Sequence, residues 1–164
     1  MKKIIVLVFI ITACMAFMSF LNPRNVNVEM SYPEGYRGWT HVKSSIVGPG
    51  SPAAPKYEGF THIYANEKAM EGYTSGVFAD GAVIVFDVLE SATTKGGMKE
   101  GERKFIDVMM KDSKLYAATG GWGFEEFDKS SKTIRNLKDA DKTQCYNCHV
   151  SRKENGYVFS SYRE

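Results

Sequence analysis

The alternation of apolar and polar positions changes period several times along this chain, and each change predicts an element. From Glu58 to Tyr64 the pattern has a period of two, which predicts a strand with Phe60, His62 and Tyr64 on one face. Asn66 then stands as an N-cap ahead of a short helix through Tyr73. Asp80-Gly81 reads as a turn. Ala82 to Leu89 is rich in Val and Ile and predicts the strongest strand, with Ile84, Phe86 and Val88 on one side. Gly96-Gly97 and Gly101 mark a loop, and Lys104 to Met110 predicts a further strand. Phe105, Asp107 and Met109 share one of its faces; Lys104, Ile106 and Val108 share the other. Asp112 or Ser113 can cap a helical turn through Thr119, which stops at Gly120-Gly121 ahead of Trp122-Gly123-Phe124. The stretch from Asp128 to Asp141 is polar.

Upstream, Pro33, Gly35, Gly48, Pro49, Gly50, Pro52 and Pro55 interrupt any long period. Residues 23–56 are therefore expected to be an irregular N-terminal part of the domain. Within them a helical turn at Tyr36–Val42 would pack Trp39, and Gly48–Pro55 would be a loop. Residues 57–164 form the main domain. No internal repeat or second domain is visible. Strands with short helical insertions, ending in a C-terminal C-x-x-C-H turn, give an α+β fold class with a mainly antiparallel β-sheet.

The first 22 residues differ from the rest. Lys2 and Lys3 precede an uncharged apolar run from Ile4 to Leu21, the layout of an export signal peptide or an N-terminal membrane anchor. Three fates fit it: a cleaved leader, a retained anchor, or a lipid on Cys14 within Ile11-Thr12-Ala13-Cys14. Positive-inside logic leaves the remainder in the periplasm or on the outer face of the cytoplasmic membrane. The chain has 21 basic and 19 acidic residues, and without Lys2 and Lys3 the two signs balance. Neutrality with scattered charge gives no footprint for nucleic acid, or for membrane contact beyond the N-terminal segment. About 140 residues remain after the leader, enough for one domain with its own core.

The chemistry concentrates at Cys145-Tyr146-Asn147-Cys148-His149, the C-x-x-C-H attachment sequence of c-type haem. Two thiols at this spacing lie one helical turn apart and can add to the two vinyl groups of one porphyrin. His149 then becomes the proximal iron ligand. The chain has three cysteines, and Cys14 lies in the leader, so no thiol remains for a disulfide or a four-ligand zinc site. A thioredoxin-like dithiol belongs early in an α/β domain at a strand-to-helix junction, whereas this pair lies near the end of the chain. No pattern for nucleophilic hydrolysis, phosphate binding or dinucleotide binding is present.

Two stretches carry a resemblance to the cytochrome P-460 family, which includes the cytochromes c′-beta. One is Met110 to Phe124, MKDSKLYAATGGWGF. The other is the Cys145–His149 motif followed by Asn155-Gly156-Tyr157-Val158-Phe159, with Asp80-Gly81 as a third point. The resemblance implies a mostly antiparallel β domain, often a homodimer, holding one covalent haem c with an open iron face. Hydroxylamine-oxidising members carry a lysine cross-linked to the porphyrin edge, on the strand after the Asp-Gly turn. That position falls at or near Phe86, and no lysine occurs between Lys68 and Lys95. The chain is therefore similar to the c′-beta type, which caps the open face with phenylalanines and binds small gases, nitric oxide above all.

Several residues are candidates for the open side. Phe60 and Phe86, on two strands of one sheet, could stack above the iron. Asp107 stands between Phe105 and Met109: either it is a distal carboxylate, paired or neutralised, or its face meets solvent. In the family a carboxylate near this position serves distal proton transfer. Met70, Met98, Met109, Met110, His41 and His62 are the possible sixth ligands, with Met109 the foremost. Trp39, Tyr116, Trp122 and Phe124 would pack the haem edge or the core, and the glycines around Trp122 could let backbone approach the porphyrin. The expectation is an exported monohaem c-type cytochrome whose five-coordinate haem takes nitric oxide or another small ligand. Two alternatives stand beside it: an electron-transfer cytochrome with a sixth protein ligand and a periplasmic redox partner, and a hydroxylamine-oxidising enzyme.

Overall fold

The Val/Ile-rich run forms the middle of a five-stranded antiparallel sheet in a computed structural model that describes residues 29–163. The leader at 1–22 and Cys14 lie outside the described residues. The strands are β1 (Thr40–Val47), β2 (Gly59–Ala65), β3 (Val83–Thr94), β4 (Gly97–Lys111) and β5 (Trp122–Asp128), adjacent in chain order. Three α-helices accompany them: α1 (Ala54–Tyr57), α2 (Glu67–Ser75) and α3 (Asp139–His149). The α+β expectation with a mainly antiparallel sheet holds.

Both faces of the sheet are covered, which explains why β3 reads as a nearly continuous apolar run rather than an alternating one. One face carries Ile84, Phe124, Trp122 and Ala65, packed with Phe78, Ala69 of α2 and Val158. Adjacent residues of the same strands point the other way: Val85, Ile106, Val108 and Phe127 pack against Met30 and Tyr36. The N-terminal segment thus closes the second face. A fully buried Asp87 on that side accepts from the Tyr36 hydroxyl at 2.7 Å and from Arg103 Nε at 2.7 Å.

Local signals hold where they are strong. Asn66 caps α2, its Oδ1 accepting from Ala69 N at 2.9 Å and also from Val83 N at 3.0 Å. Gly76 ends that helix with φ +78°, a left-handed turn suited to glycine. Elsewhere the expectations need correction. Residues 23–56 are not irregular throughout, because Thr40–Val47 is an edge strand and the helical turn stops at Gly38. The backbone of β2 pulls this polar stretch into the sheet through the register Thr40↔Ala65 to Val47↔Gly59, with a bulge between His41 and Lys43. Gly97 and Gly101 do not lie in a loop: β3 and β4 run on as a paired hairpin, turning at Lys95-Gly96. Trp122 to Asp128 is a strand despite its two glutamates, since both glutamates find cations from distant segments (Glu125 with Lys142 at 2.9 Å, Glu126 with Lys56 at 2.6 Å).

Phe127 is fully buried at the centre of the second face. Phe127→Ala should lower the unfolding free energy by about 3–5 kcal/mol, the usual cost of deleting a buried aromatic ring. Chemical denaturation followed by circular dichroism checks this.

Candidate functional site

Cys145, Cys148 and His149 all sit in the C-terminal half of α3 and line one cavity of about 410 Å³. The helix starts where Lys138 N–H donates to Asp141 Oδ2 at 2.9 Å, and Asp139 and Asp141 in its first turn suit the positive end of the helix dipole. Spacing on the helix brings both thiols and the imidazole to the cavity wall. Opposite them the wall is the first sheet face: Ile63 of β2, Ile84 and Phe86 of β3, Asp107 and Met109 of β4, Phe124 of β5. Tyr57 of α1 and Phe159 complete the lining that matters chemically.

The imidazole of His149 is held by its own downstream chain. Its Nδ1 lies 2.7 Å from the carbonyl oxygen of Tyr157, to which Nδ1–H donates. That bond leaves Nε2 as the ring nitrogen free to bind a metal. Phe124 and Phe159 flank the ring with centroids at 5.2 and 5.0 Å. Burial lowers the His149 pKa, with the Tyr157 carbonyl opposing, so the ring favours the neutral form a metal ligand needs. Tyr157 has φ +70°, an uncommon conformation for a bulky residue. It is kept there by its N–H donating to Arg152 O at 2.8 Å, and by Trp122 Nε1–H donating to the adjoining Gly156 O at 2.9 Å. The Gly156-Tyr157 turn therefore serves as a fixed bracket behind the histidine.

The two cysteines are free thiols. Burial, then the charge of Asp107, pushes the Cys145 thiol up to about 11. A redox-active dithiol needs a lowered thiol pKa near a helix N-terminus, but here the thiol is raised and the pair lies at the C-terminal end. The donor set, its placement on one helix and the freed Nε2 all fit a haem attached at Cys145 and Cys148 and ligated by His149. The cavity volume is that of a small-molecule site.

The far wall is not wholly apolar. Asp107 has a side chain 22% exposed, and its Oδ2 accepts from the Tyr57 hydroxyl at 2.8 Å, with Lys56 Nζ at 3.7 Å. Lys56 Nζ also pairs with Glu126 Oε2 at 2.6 Å, and Glu126 Oε1 accepts from Asn136 Nδ2 at 2.8 Å. Burial raises the Asp107 pKa to about 7, with Lys56 opposing and Glu126 adding to the rise. For Glu126, burial alone would raise the pKa, but the bonds from Lys56 and Asn136 outweigh it and hold the group low. Lys56 is raised in turn: its partial burial is more than offset by Asp107 and Glu126.

The remaining candidates sort by sheet face. Phe86 lines the cavity, meeting Tyr57 edge-on at 5.5 Å. Phe60 does not join it. The register Phe60↔Leu89 and Ile63↔Phe86 sends Phe60, His62 and Tyr64 to the opposite side from Phe86. Asp107 is on the cavity side, as the cross-strand partner of Phe86. Among the possible sixth ligands Met109 alone lines the cavity. Met110 packs on the second face, and Met98 is exposed on the hairpin. Met70 packs against the core of the first face without reaching the cavity wall. His62 Nδ1 bonds Ser44 at 2.7 Å and its Nε2 lies 2.8 Å from Glu100, and His41 is exposed beside Ser44. Trp39 and Tyr116 belong to the second face. Trp122 is fully buried but does not line the cavity, and the room left at Gly123 is filled by the Tyr116 ring rather than open to a porphyrin. Tyr57, Lys56 and Glu126 join the site although no motif or spacing marks them. A charged pair in a buried strand, as at Glu125-Glu126, was the available signal.

The raised Asp107 sets a pH dependence. Its folded pKa, about 7, exceeds the ordinary 3.8, so the folded chain binds more protons than the unfolded chain between those values. The stability associated with Asp107 is complete below about pH 4 and falls as pH rises to about 7. Asp107→Asn should therefore gain stability relative to the unaltered chain as pH increases across that window. Denaturant midpoints of the haem-free proteins at pH 4.5 and pH 8 measure it, and a constant difference would refute it.

No curated protein matches the chain. The family model described as Cytochrome P460 matches residues 33–160, a span that takes in the whole sheet, the cavity wall and the Cys145–His149 helix. A haem cofactor is what that family implies, and the residues of this cavity suit one. On that match the chain belongs to the cytochrome P460 family.

Proposed function

We propose that this chain is an exported monohaem c-type cytochrome that binds nitric oxide or a similar small ligand. Cys145 and Cys148 would carry the thioether bonds, and His149 Nε2 would hold the iron from one side. The bound haem would supply a redox-active iron with one open coordination position. The observation that carries the reading is that His149 has its Nδ1 committed to Tyr157 O at 2.7 Å while both thiols share its cavity.

The chain's own residues favour a neutral diatomic over water or an anion. Phe86, Ile84 and Ile63 offer apolar walls with no hydrogen-bonding capacity. Asp107 carries negative charge when ionised and so disfavours anions. No lysine lines the cavity among the described residues; Lys56, beside Asp107, is held by Glu126 at 2.6 Å. This supports the c′-beta type over a cross-linked, hydroxylamine-oxidising one. The partners under this reading are the small ligand, a periplasmic redox protein and a second copy of the chain. Membrane contact is confined to the N-terminal segment.

A specific observation favours one second reading, electron transfer, because Met109 lines the same cavity. Spectra of protein produced in a host that matures c-type cytochromes separate the two. The expected ferrous form is high-spin and five-coordinate, takes up nitric oxide, and has the mass of the polypeptide plus one haem. The Cys145→Ala/Cys148→Ala double variant should lose that added mass. A low-spin ferrous spectrum without added ligand, converted to high-spin by Met109→Ala, would overturn the ligand-binding reading in favour of electron transfer.

A further inference from the structure

Two of the chain's three histidines meet on the sheet face turned away from the cavity. Ser44 and His62 are Cα partners across β1 and β2, so their side chains leave the same face. His41 stands three positions before Ser44, and in a regular strand it would point the other way. The bulge between His41 and Lys43 adds a residue and turns His41 back to the face of Ser44 and His62. The two imidazoles then stand 6.0 Å apart between centroids. His41 Nε2 lies 2.9 Å from Ser44 Oγ, and His62 Nδ1 lies 2.7 Å from the same atom. Two ring nitrogens from separate strands thus aim at one point. Behind His62, its Nε2 lies 2.8 Å from Glu100 Oε1 without an aligned hydrogen bond. A carboxylate there favours the ring proton on Nε2 and leaves the Nδ1 lone pair facing Ser44, as in a metal-binding histidine backed by a carboxylate. Asp87, the cross-strand partner of His62 on β3, is already occupied by Arg103 and Tyr36.

We propose that His41 Nε2 and His62 Nδ1 together bind one divalent transition-metal ion, Zn²⁺ or Cu²⁺, at this sheet edge, with Glu100 holding the His62 ring from behind. Imidazole nitrogen suits these ions, whereas Ca²⁺ and Mg²⁺ require oxygen donors. A zinc–nitrogen bond is about 2.0–2.1 Å, so one ion reaches both nitrogens only if they close on it. The exposed residues supply that movement: Ser44 turns its hydroxyl aside and His41 swings inward. His62, 8% exposed on an inner strand, stays fixed. Among the described residues no three His, Cys, Asp or Glu side chains gather about a single ion. The site is therefore a two-imidazole one, its other positions filled by water or the Ser44 hydroxyl. It lies across the sheet from the cavity and does not rest on the ligand-binding reading.

Calorimetric titration of the haem-loaded protein with Zn²⁺ tests the site, because Cys145, Cys148 and His149 are then already engaged. One ion per chain should bind. Glu100→Gln should weaken that binding roughly tenfold, the usual effect of removing a partner behind a metal ligand. His41→Asn and His62→Asn each remove one of the two nitrogens and should weaken it further than Glu100→Gln does. Ser44→Ala should bind Zn²⁺ at least as tightly as the unaltered protein, since it clears the point on which the nitrogens converge. If His62→Asn does not fold, His41→Asn, on an exposed side chain, still decides the matter. No uptake by the unaltered protein, or uptake that survives His41→Asn undiminished, would overturn the inference.

Discussion

The registration of β3 between β2 and β4 governs everything on the cavity side. Ile63, Phe86, Asp107 and Glu126 form one row across four strands, and Ile84, Met109 and Phe124 form the next. A slip of one residue at either junction would exchange these rows for His62, Asp87 and Ile106, turning the far face inward. Because both faces are buried, each with its own set of partners, such a slip would strand Asp87 without its arginine and tyrosine. The two faces hold each other in register: the ion cluster on one side locks the apolar wall on the other.

Against that wall the C-terminal segment supplies the other half of the site. Helix α3 packs along β5, and the turn that follows folds back so that Tyr157 O meets His149 and Gly156 O meets Trp122. Trp122 is itself a β5 residue, fully buried beneath α2 and the chain end. The orientation of the histidine is thereby tied to the sheet through one indole and two carbonyls. Second-sphere bonds of this kind fix the tautomer and the ring plane of a metal ligand.

Polar groups enter this interior only in balanced sets. Glu125 meets Lys142, and Glu126 meets Lys56 and Asn136. Asp107 is the exception, with one oxygen unanswered and a pKa lifted to about 7 by its burial. An incompletely balanced carboxyl facing a cavity keeps its proton more readily than a solvated one. Its neighbours come from α1 and β5, elements far apart in the chain, so the balance exists only in the folded state.

Local rules carried a large part of this protein. The Cys145–His149 spacing pointed to a haem without any fold, because residues one helical turn apart are a local fact. The Asn66 cap, the β3 run and the α+β class were equally local, each resting on neighbours a few residues away. What the sequence left undecided was pairing between distant segments. It did not show that Thr40–Val47 would be drawn into the sheet edge, because that strand is polar and takes its stability from the β2 backbone. Nor did it separate Phe60 from Phe86, which look alike until a register assigns them to opposite faces. The setting of Asp107 was undecidable for the same reason: whether a carboxylate is buried, and what charge it keeps, depends on Lys56, Tyr57 and Glu126 arriving from elsewhere. Composition and spacing determine which groups a chain owns; only long-range packing decides which of them are buried together.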